Sequence, residues 1–321
     1  RWSNNLHAKE SLASRNLRAV PTWLPRGVAY SARWAMPGFR SGRPDLVHHT
    51  YYSRRFLGIP HGVPQVTTVY DMIPELFAAS GVHTGSHLDK HRYLRESDLV
   101  ICISESTRDD MVRLLGEPSG MVRVIPLGVG PGFSPDLLPL PGLPSEYLLY
   151  VGARRGYKDF KLLPEAMHGL RNRGVDVPLV AVGKSFTRQE VEQIRALGLD
   201  DRVRQIEAGE SELKRAYANC TALIQTSSYE GFGLTPLEAM ASGAPVVIAQ
   251  ASSMPEVGGS AATYFDPGDV EGLTSAIERV LTDRDLAADM RARGLRRAQE
   301  FTLRRTAELT RDAYQTLLSE S

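Results

Sequence analysis

The sequence predicts an α/β protein made of two doubly wound domains, and three observations carry that expectation. Short apolar β-type runs alternate with helical patterns along nearly the whole chain, the order of parallel sheets built from βαβ units. A proline run (Pro131, Pro135, Pro139, Pro141 and Pro144) interrupts the alternation near its middle. At 321 residues the chain is long enough for two separate cores.

The elements follow in order. In the first half, strands are expected near Leu46–His48, Val66–Tyr70, Asp98–Ile103 and Val122–Pro126, with helices over 86–97 and 105–115. The proline run reads as an interdomain linker, since proline fixes φ and removes a donor. It divides the chain into a first domain over 1–135, a linker over 136–145 and a second domain over 146–300. The second series opens at Glu146–Gly152 and continues at Leu179–Val182, Val203–Ile206, Ala222–Thr226 and Val246–Ala249, with a short strand near Thr263–Phe265. Runs such as Val246-Val247-Ile248-Ala249 show no polar alternation, as expected of strands covered on both faces. Ligands of such sheets bind at the carboxyl ends of the strands.

Composition narrows the class. Hydrophobic content of 42% and charged content of 23% suit a soluble globular protein. No apolar run approaches the twenty residues a membrane helix needs. Cys102 and Cys220 sit in apolar strand-like contexts and read as small buried hydrophobes of a reducing, cytoplasmic compartment. Net charge is +1, yet residues 1–60 carry ten Arg or Lys against Glu10 and Asp45, together with Trp2, Trp23 and Trp34. Such a mixture suits peripheral contact with anionic lipid, or simply a solvated basic face over a tryptophan core. No nucleic-acid-binding motif accompanies the charge, so no nucleic-acid partner is expected.

The most informative run is Tyr229-Glu230-Gly231-Phe232-Gly233-Leu234-Thr235-Pro236-Leu237-Glu238-Ala239-Met240-Ala241. It follows an apolar strand and bends at glycines into a helix. Thr235 is expected as the N-cap, with Pro236 in the first turn and Glu238 three residues on, a capping-box spacing. A helix start of this kind presents backbone amides and a positive dipole end to an anion. Most capping boxes only begin helices. The two flanking carboxylates set this one apart, since polyhydroxylated ligands need such acceptors.

This run, with Ser242-Gly243-Ala244-Pro245-Val246-Val247 and Ser252-Ser253-Met254-Pro255-Glu256-Val257, resembles the signature of family-4 retaining glycosyltransferases of the GT-B fold. The resemblance extends over roughly residues 45–319, and Leu127-Gly128-Val129 with Phe133 matches the family's exit from its first domain. It implies two Rossmann-like domains facing across a cleft and a final helix, 301–321, that returns to the first domain. The family's first strand and glycine-rich loop have no counterpart in residues 1–44.

The resemblance also implies roles. Glu230 would lie against the donor sugar and Glu238 would bond the nucleotide ribose. The backbone of Gly231, Phe232, Gly233, Leu234 and Thr235 would line the sugar and diphosphate. In the strand-end loop after Gly152, Arg154 and Lys158 match the paired cations that grip the two phosphates, and Arg155 is a neighbour with which Arg154 could exchange roles. Gly183 and Ala208 are further donor-side positions, the base being read near Glu207-Ala208-Gly209. On the acceptor side stand Tyr70, Asp71 and Ser104. Tyr70 occupies a place where many members carry histidine. Asp71 is either an acceptor-orienting group or a turn residue, and Ser104 with Thr107 also fits a plain helix start.

Departure of a diphosphate builds negative charge, which fixed cations stabilise. With such a pair in place no metal or other cofactor is expected, the nucleoside diphosphate sugar being a co-substrate. Asp283-Arg284-Asp285 has the spelling of a metal motif but lies between two helical patterns and reads as their turn. The expected activity is retaining, metal-independent transfer of a hexose from a UDP-, GDP- or other nucleoside diphosphate sugar to an acceptor hydroxyl of a cell-envelope glycan, a lipid-linked sugar or an antibiotic. A nucleotide-sugar epimerase and a non-catalytic nucleotide-sugar-binding partner are the alternatives.

Overall fold

A computed structural model describes residues 45–50, 52, 62–77 and 90–320. The tryptophan-bearing basic front expected at a membrane surface, and the first four residues of the helix expected over 86–97, lie outside the described residues.

The chain forms two compact units. The first runs to Pro126 and takes back the residues from Arg304 onward, and the second spans Leu127–Leu303. The first unit holds β1 (Val47–His49), β2 (Gln65–Val69), β3 (Leu99–Cys102) and β4 (Met121–Val124), ordered β1-β2-β3-β4 and parallel throughout. The apolar run Leu99-Val100-Ile101-Cys102 is buried at every position, as a strand covered on both faces must be. The helix over Glu105–Leu115 starts where expected because the Ser104 hydroxyl accepts from the Thr107 amide at 3.0 Å.

The last helix, Leu303–Glu320, completes this unit. Its Ala313 and Leu317 are buried against Val66, Leu99, Ile101 and Ile125, with Leu309 and Tyr314 alongside. Tyr314 hydrogen-bonds His48 Nδ1, and the other ring nitrogen of His48 meets the Thr68 hydroxyl at 2.7 Å. Burial, aided by the neighbouring His49, pushes the His48 imidazole down to about 4, so the ring is neutral at physiological pH. Because the folded value lies below the unfolded one, the stability contributed by the neutral ring is present above about pH 6.5 and is lost as the pH falls toward 4. Tyr314→Phe removes one partner of a buried ring nitrogen and is expected to cost about 1–3 kcal/mol in a denaturant titration.

The second unit holds β5 (Leu148–Val151), β6 (Leu179–Val182), β7 (Val203–Ile206), β8 (Ala222–Gln225), β9 (Val246–Ala249) and β10 (Thr263–Phe265). Its sheet is parallel, in the order β10-β9-β8-β5-β6-β7. The chain therefore builds outward from β5 through β6 and β7, then restarts on the opposite side of β5 with β8. The junction of β5 and β8 is the topological switch point, and ligands of such sheets bind at the carboxyl ends of the strands there.

The proline run is not a free connector. Arg215 Nε donates to the Leu138 carbonyl at 2.8 Å and Asn219 to the Leu137 carbonyl at 2.9 Å, while Arg204 reaches the Gly142 carbonyl. The segment expected as a linker over 136–145 is thus strapped onto the second unit, and the division between units falls at Pro126 and Leu127, ahead of the expected 135. On the returning side, Val129 pairs with Thr302, and its amide donates to the Phe301 carbonyl at 2.9 Å.

Candidate functional site

The residues singled out in the second unit gather at one edge of its sheet. Gly152, Gly183 and Ala208 follow β5, β6 and β7, and the bend from Gly231 to Thr235 follows β8, all at carboxyl ends. The backbones are close there. A Cβ added at Gly183 would meet the Gly152 carbonyl at 2.8 Å and Arg154 Nη1 at 3.4 Å, so only glycine fits.

The loops after β5 and β8 are stapled together at the switch point. The Thr226 hydroxyl donates to the Lys158 carbonyl at 2.7 Å, and the Ser228 amide to the Tyr157 carbonyl at 2.8 Å. Lys158 lies on a short 3-10 turn, Gly156–Lys158, closed by Asp159 in the left-handed conformation. These contacts bring two side chains 72 positions apart into an ion pair: Lys158 Nζ meets Glu230 Oε1 at 2.5 Å. Both side chains stay partly open, at 18% and 15% exposure, which leaves them accessible to a ligand.

The Glu230 bend is braced from below. The Glu230 amide donates to the Ser252 hydroxyl at 2.8 Å, and the Ser253 hydroxyl reaches the carbonyls of Glu230 and Phe232 at 2.8 and 2.6 Å. Phe232 is buried with its ring edge-on to Phe301, so it contributes backbone to the site and side chain to the core.

The helix begins two residues earlier than its sequence suggests. It spans Leu234–Ala241 with Gly233 as N-cap at φ 121°, and the expected capping box between Thr235 and Glu238 does not form. Gly233 wins because the bend needs a positive φ, and because a side chain there would come within 2.7 Å of the Met254 methyl. Thr235 is then already helical. Glu238, in place of reaching back to a cap, accepts from the Tyr217 hydroxyl at 3.1 Å, and Thr235 also bonds Tyr217.

Burial pushes the Glu238 carboxyl up to about 6, opposed by the Tyr217 hydroxyl and the Lys214 charge. With the folded value above the unfolded one, the protonated form is the one that favours folding, and that contribution is lost as the pH rises through about 6. A ligand hydroxyl bound by the carboxylate shows the opposite trend. Nucleotide affinity is expected to rise about tenfold from pH 5 to pH 7.5, with Glu238→Gln flattening the profile in a calorimetric titration.

Arg154 is more deeply committed than its loop position suggests. Its side chain is 5% exposed, Nε pairs with Glu190 at 2.8 Å, and Nη2 donates to the Lys184 and Ser185 carbonyls. The guanidinium also lies 4.8 Å from the Phe186 ring. Among the described residues its Nη1, beside Gly183, has no such partner. Arg155 is exposed.

In the first unit, Asp71 Oδ1 accepts from the Ile73 amide at 3.0 Å, the turn role its sequence allowed. The Asp71 carbonyl accepts from Lys90, a fully buried ammonium paired with Glu75 at 2.8 Å. Tyr70 follows β2 with its phenol pushed up by burial, and Ser104 caps its helix. Asp283 ends one helix and caps the next, accepting from Leu286 at 2.9 Å. Among the described residues no helix is long and apolar enough to cross a membrane.

Gln225, Tyr217, Glu190, Ser252 and Ser253 are site-building residues not singled out from sequence. Gln225 left a signal as a lone amide ending the apolar run Ala222-Leu223-Ile224, and Ser252 and Ser253 lie in the family-like run Ser252-Ser253-Met254 without a role assigned there.

Comparison with known proteins bears on this geometry. Residues 142–297 match the family model for glycosyl transferases group 1, and residues 3–132 that for glycosyltransferase family 4. The glycogen synthase of Mycobacterium tuberculosis H37Rv is 30% identical over 291 residues, covering 86% of this chain and 69% of the relative. The chain is a family-4, group 1 glycosyltransferase. This glycosyltransferase is also 28% identical over 300 residues to the O-antigen chain mannosyltransferase B of Escherichia coli, covering 85% of this chain and 76% of the relative. Among solved structures, the sucrose-phosphate synthase of Thermosynechococcus elongatus superposes with a TM-score of 0.73 at 22% identity, over 95% of this chain and 83% of that one. HepE of Anabaena, in complex with UDP and glucose, gives 0.69 at 19% identity, over 90% and 83%. These likenesses establish the GT-B fold with its two Rossmann-like units.

Proposed function

We propose that this glycosyltransferase moves a hexose, with retention and without a metal, from a nucleoside diphosphate sugar to a hydroxyl of a cell-envelope glycan. The observation that carries the reading is the Lys158–Glu230 pair at the switch point of the second unit, beside a glycine-capped helix start. Lys158 and Nη1 of Arg154 supply positive charge for the departing diphosphate, and the amides of the bend share it. Glu230 binds the sugar and Glu238 the ribose. The transfer is taken as a front-face substitution, the course that the family resemblance implies. The departing phosphate oxygen then takes the acceptor proton as the glycosidic bond forms. Mannose is the sugar favoured by the O-antigen chain relative.

The deciding experiment offers UDP-, GDP- and ADP-sugars with a polysaccharide-type acceptor in excess chelator, and reads the anomeric configuration by NMR. The expected product keeps the donor's configuration, at a rate the chelator leaves unchanged. An inverted product, or activity abolished by chelation, overturns the reading.

A further inference from the structure

We propose that Gln225 is a positioning residue for glycosyl transfer: its amide keeps the Glu230 carboxylate in place when Lys158 turns from that carboxylate to the donor diphosphate. The inference rests on the reading that Glu230 meets the donor sugar.

Gln225 ends β8 and is 3% exposed, a buried amide in an otherwise apolar strand. Its Nε2 donates to Glu230 Oε1 at 2.7 Å and to the Ser227 hydroxyl at 2.9 Å. The orientation of the amide follows from chemistry. A carboxylate oxygen only accepts, so the nitrogen must face Glu230. Its own Oε1 is then left buried without a hydrogen-bond partner among the described residues. Leaving a buried acceptor unpaired costs free energy, so this orientation is held at some expense, and what it secures is the bond to Glu230.

The same Glu230 oxygen takes both donors, Lys158 at 2.5 Å and Gln225 at 2.7 Å. In the donor complex the two donors must part company. Lys158 is needed by the phosphates, and a carboxylate held by the lysine alone would be free to rotate once its partner leaves. Gln225 sits on the sheet, not on a mobile loop, and cannot follow. It holds Oε1 while Oε2 is presented to a sugar hydroxyl. A neutral amide suits the task because it adds no charge to compete with Lys158 for the diphosphate.

The test compares Gln225→Leu and Gln225→Glu with the full-length wild type. Gln225→Leu is expected to bind the free nucleoside diphosphate like wild type, while kcat falls about tenfold to a hundredfold. In Gln225→Glu the new carboxyl donates to Glu230 only while it carries a proton, so activity is expected near wild type at acid pH and lost as the pH rises. A packing role would not create that limb. Wild-type kcat in Gln225→Leu overturns the proposal, as does a Gln225→Glu rate that is low at every pH. Should Gln225→Leu fail to fold, the pH profile of Gln225→Glu decides alone. Glu230→Gln separates the two levels: wild-type turnover there sinks the sugar-binding reading itself, whereas a crippled Glu230→Gln beside an unaffected Gln225→Leu sinks only the role of Gln225.

Discussion

Lys158→Met is expected to lower turnover by about a hundredfold to a thousandfold while leaving the fold intact. The magnitude follows from removing one preorganised donor from a developing oxyanion. Methionine keeps the length of the stem and removes only the charge. The side chain is partly exposed, and the Lys158 carbonyl, not its ammonium, is what Thr226 holds. The turn from Gly156 to Lys158 should therefore survive. Glu230 loses one of the two donors on its Oε1 but keeps Gln225. The check is initial-rate kinetics beside a thermal melt. An unchanged melting temperature with wild-type kcat would remove Lys158 from the reaction.

Glu230→Gln has the second-largest expected effect and a different signature. The substitution replaces a carboxylate by an amide beside both Lys158 and the Gln225 amide, so at least one donor loses an ionic acceptor. Turnover is expected to fall about a hundredfold. Affinity for the free nucleoside diphosphate should hold or increase, because Lys158 is released from its internal partner. Lys158→Met should weaken that same affinity. Calorimetry with the nucleotide alone therefore distinguishes the pair, and weaker nucleotide binding in both variants would contradict the division of labour.

Much of the fold was legible because parallel strands buried on both faces leave uninterrupted apolar runs, and β6 and β9 occupy the residues expected of them. The family signature likewise named Glu230 and Lys158. What sequence could not supply was the pairing of side chains 72 positions apart, which the strand order creates by placing β8 beside β5. The helix start failed for a local reason. The spacing of Thr235 and Glu238 spells a capping box, but the backbone at Gly233 had already begun the helix. The proline run failed for a long-range one: its composition announces irregular structure, while its attachment depends on Arg204, Arg215 and Asn219. Arg154 shows the same limit, since its loop announces a cation and only the structure reveals Glu190, Phe160 and Phe186 around it.

The return of the last helix to the first unit has a consequence for how the protein is made. The second unit is one unbroken stretch of chain, Leu127–Leu303, and has all of its strands as soon as that stretch leaves the ribosome. The first unit, although synthesised earlier, lacks the helix that covers Val66, Leu99, Ile101 and Ile125 until Leu303–Glu320 has emerged. Assembly of the finished cores thus runs against the order of synthesis. Until that helix arrives, the nascent first unit carries an apolar sheet face without it, the kind of surface on which chaperones act.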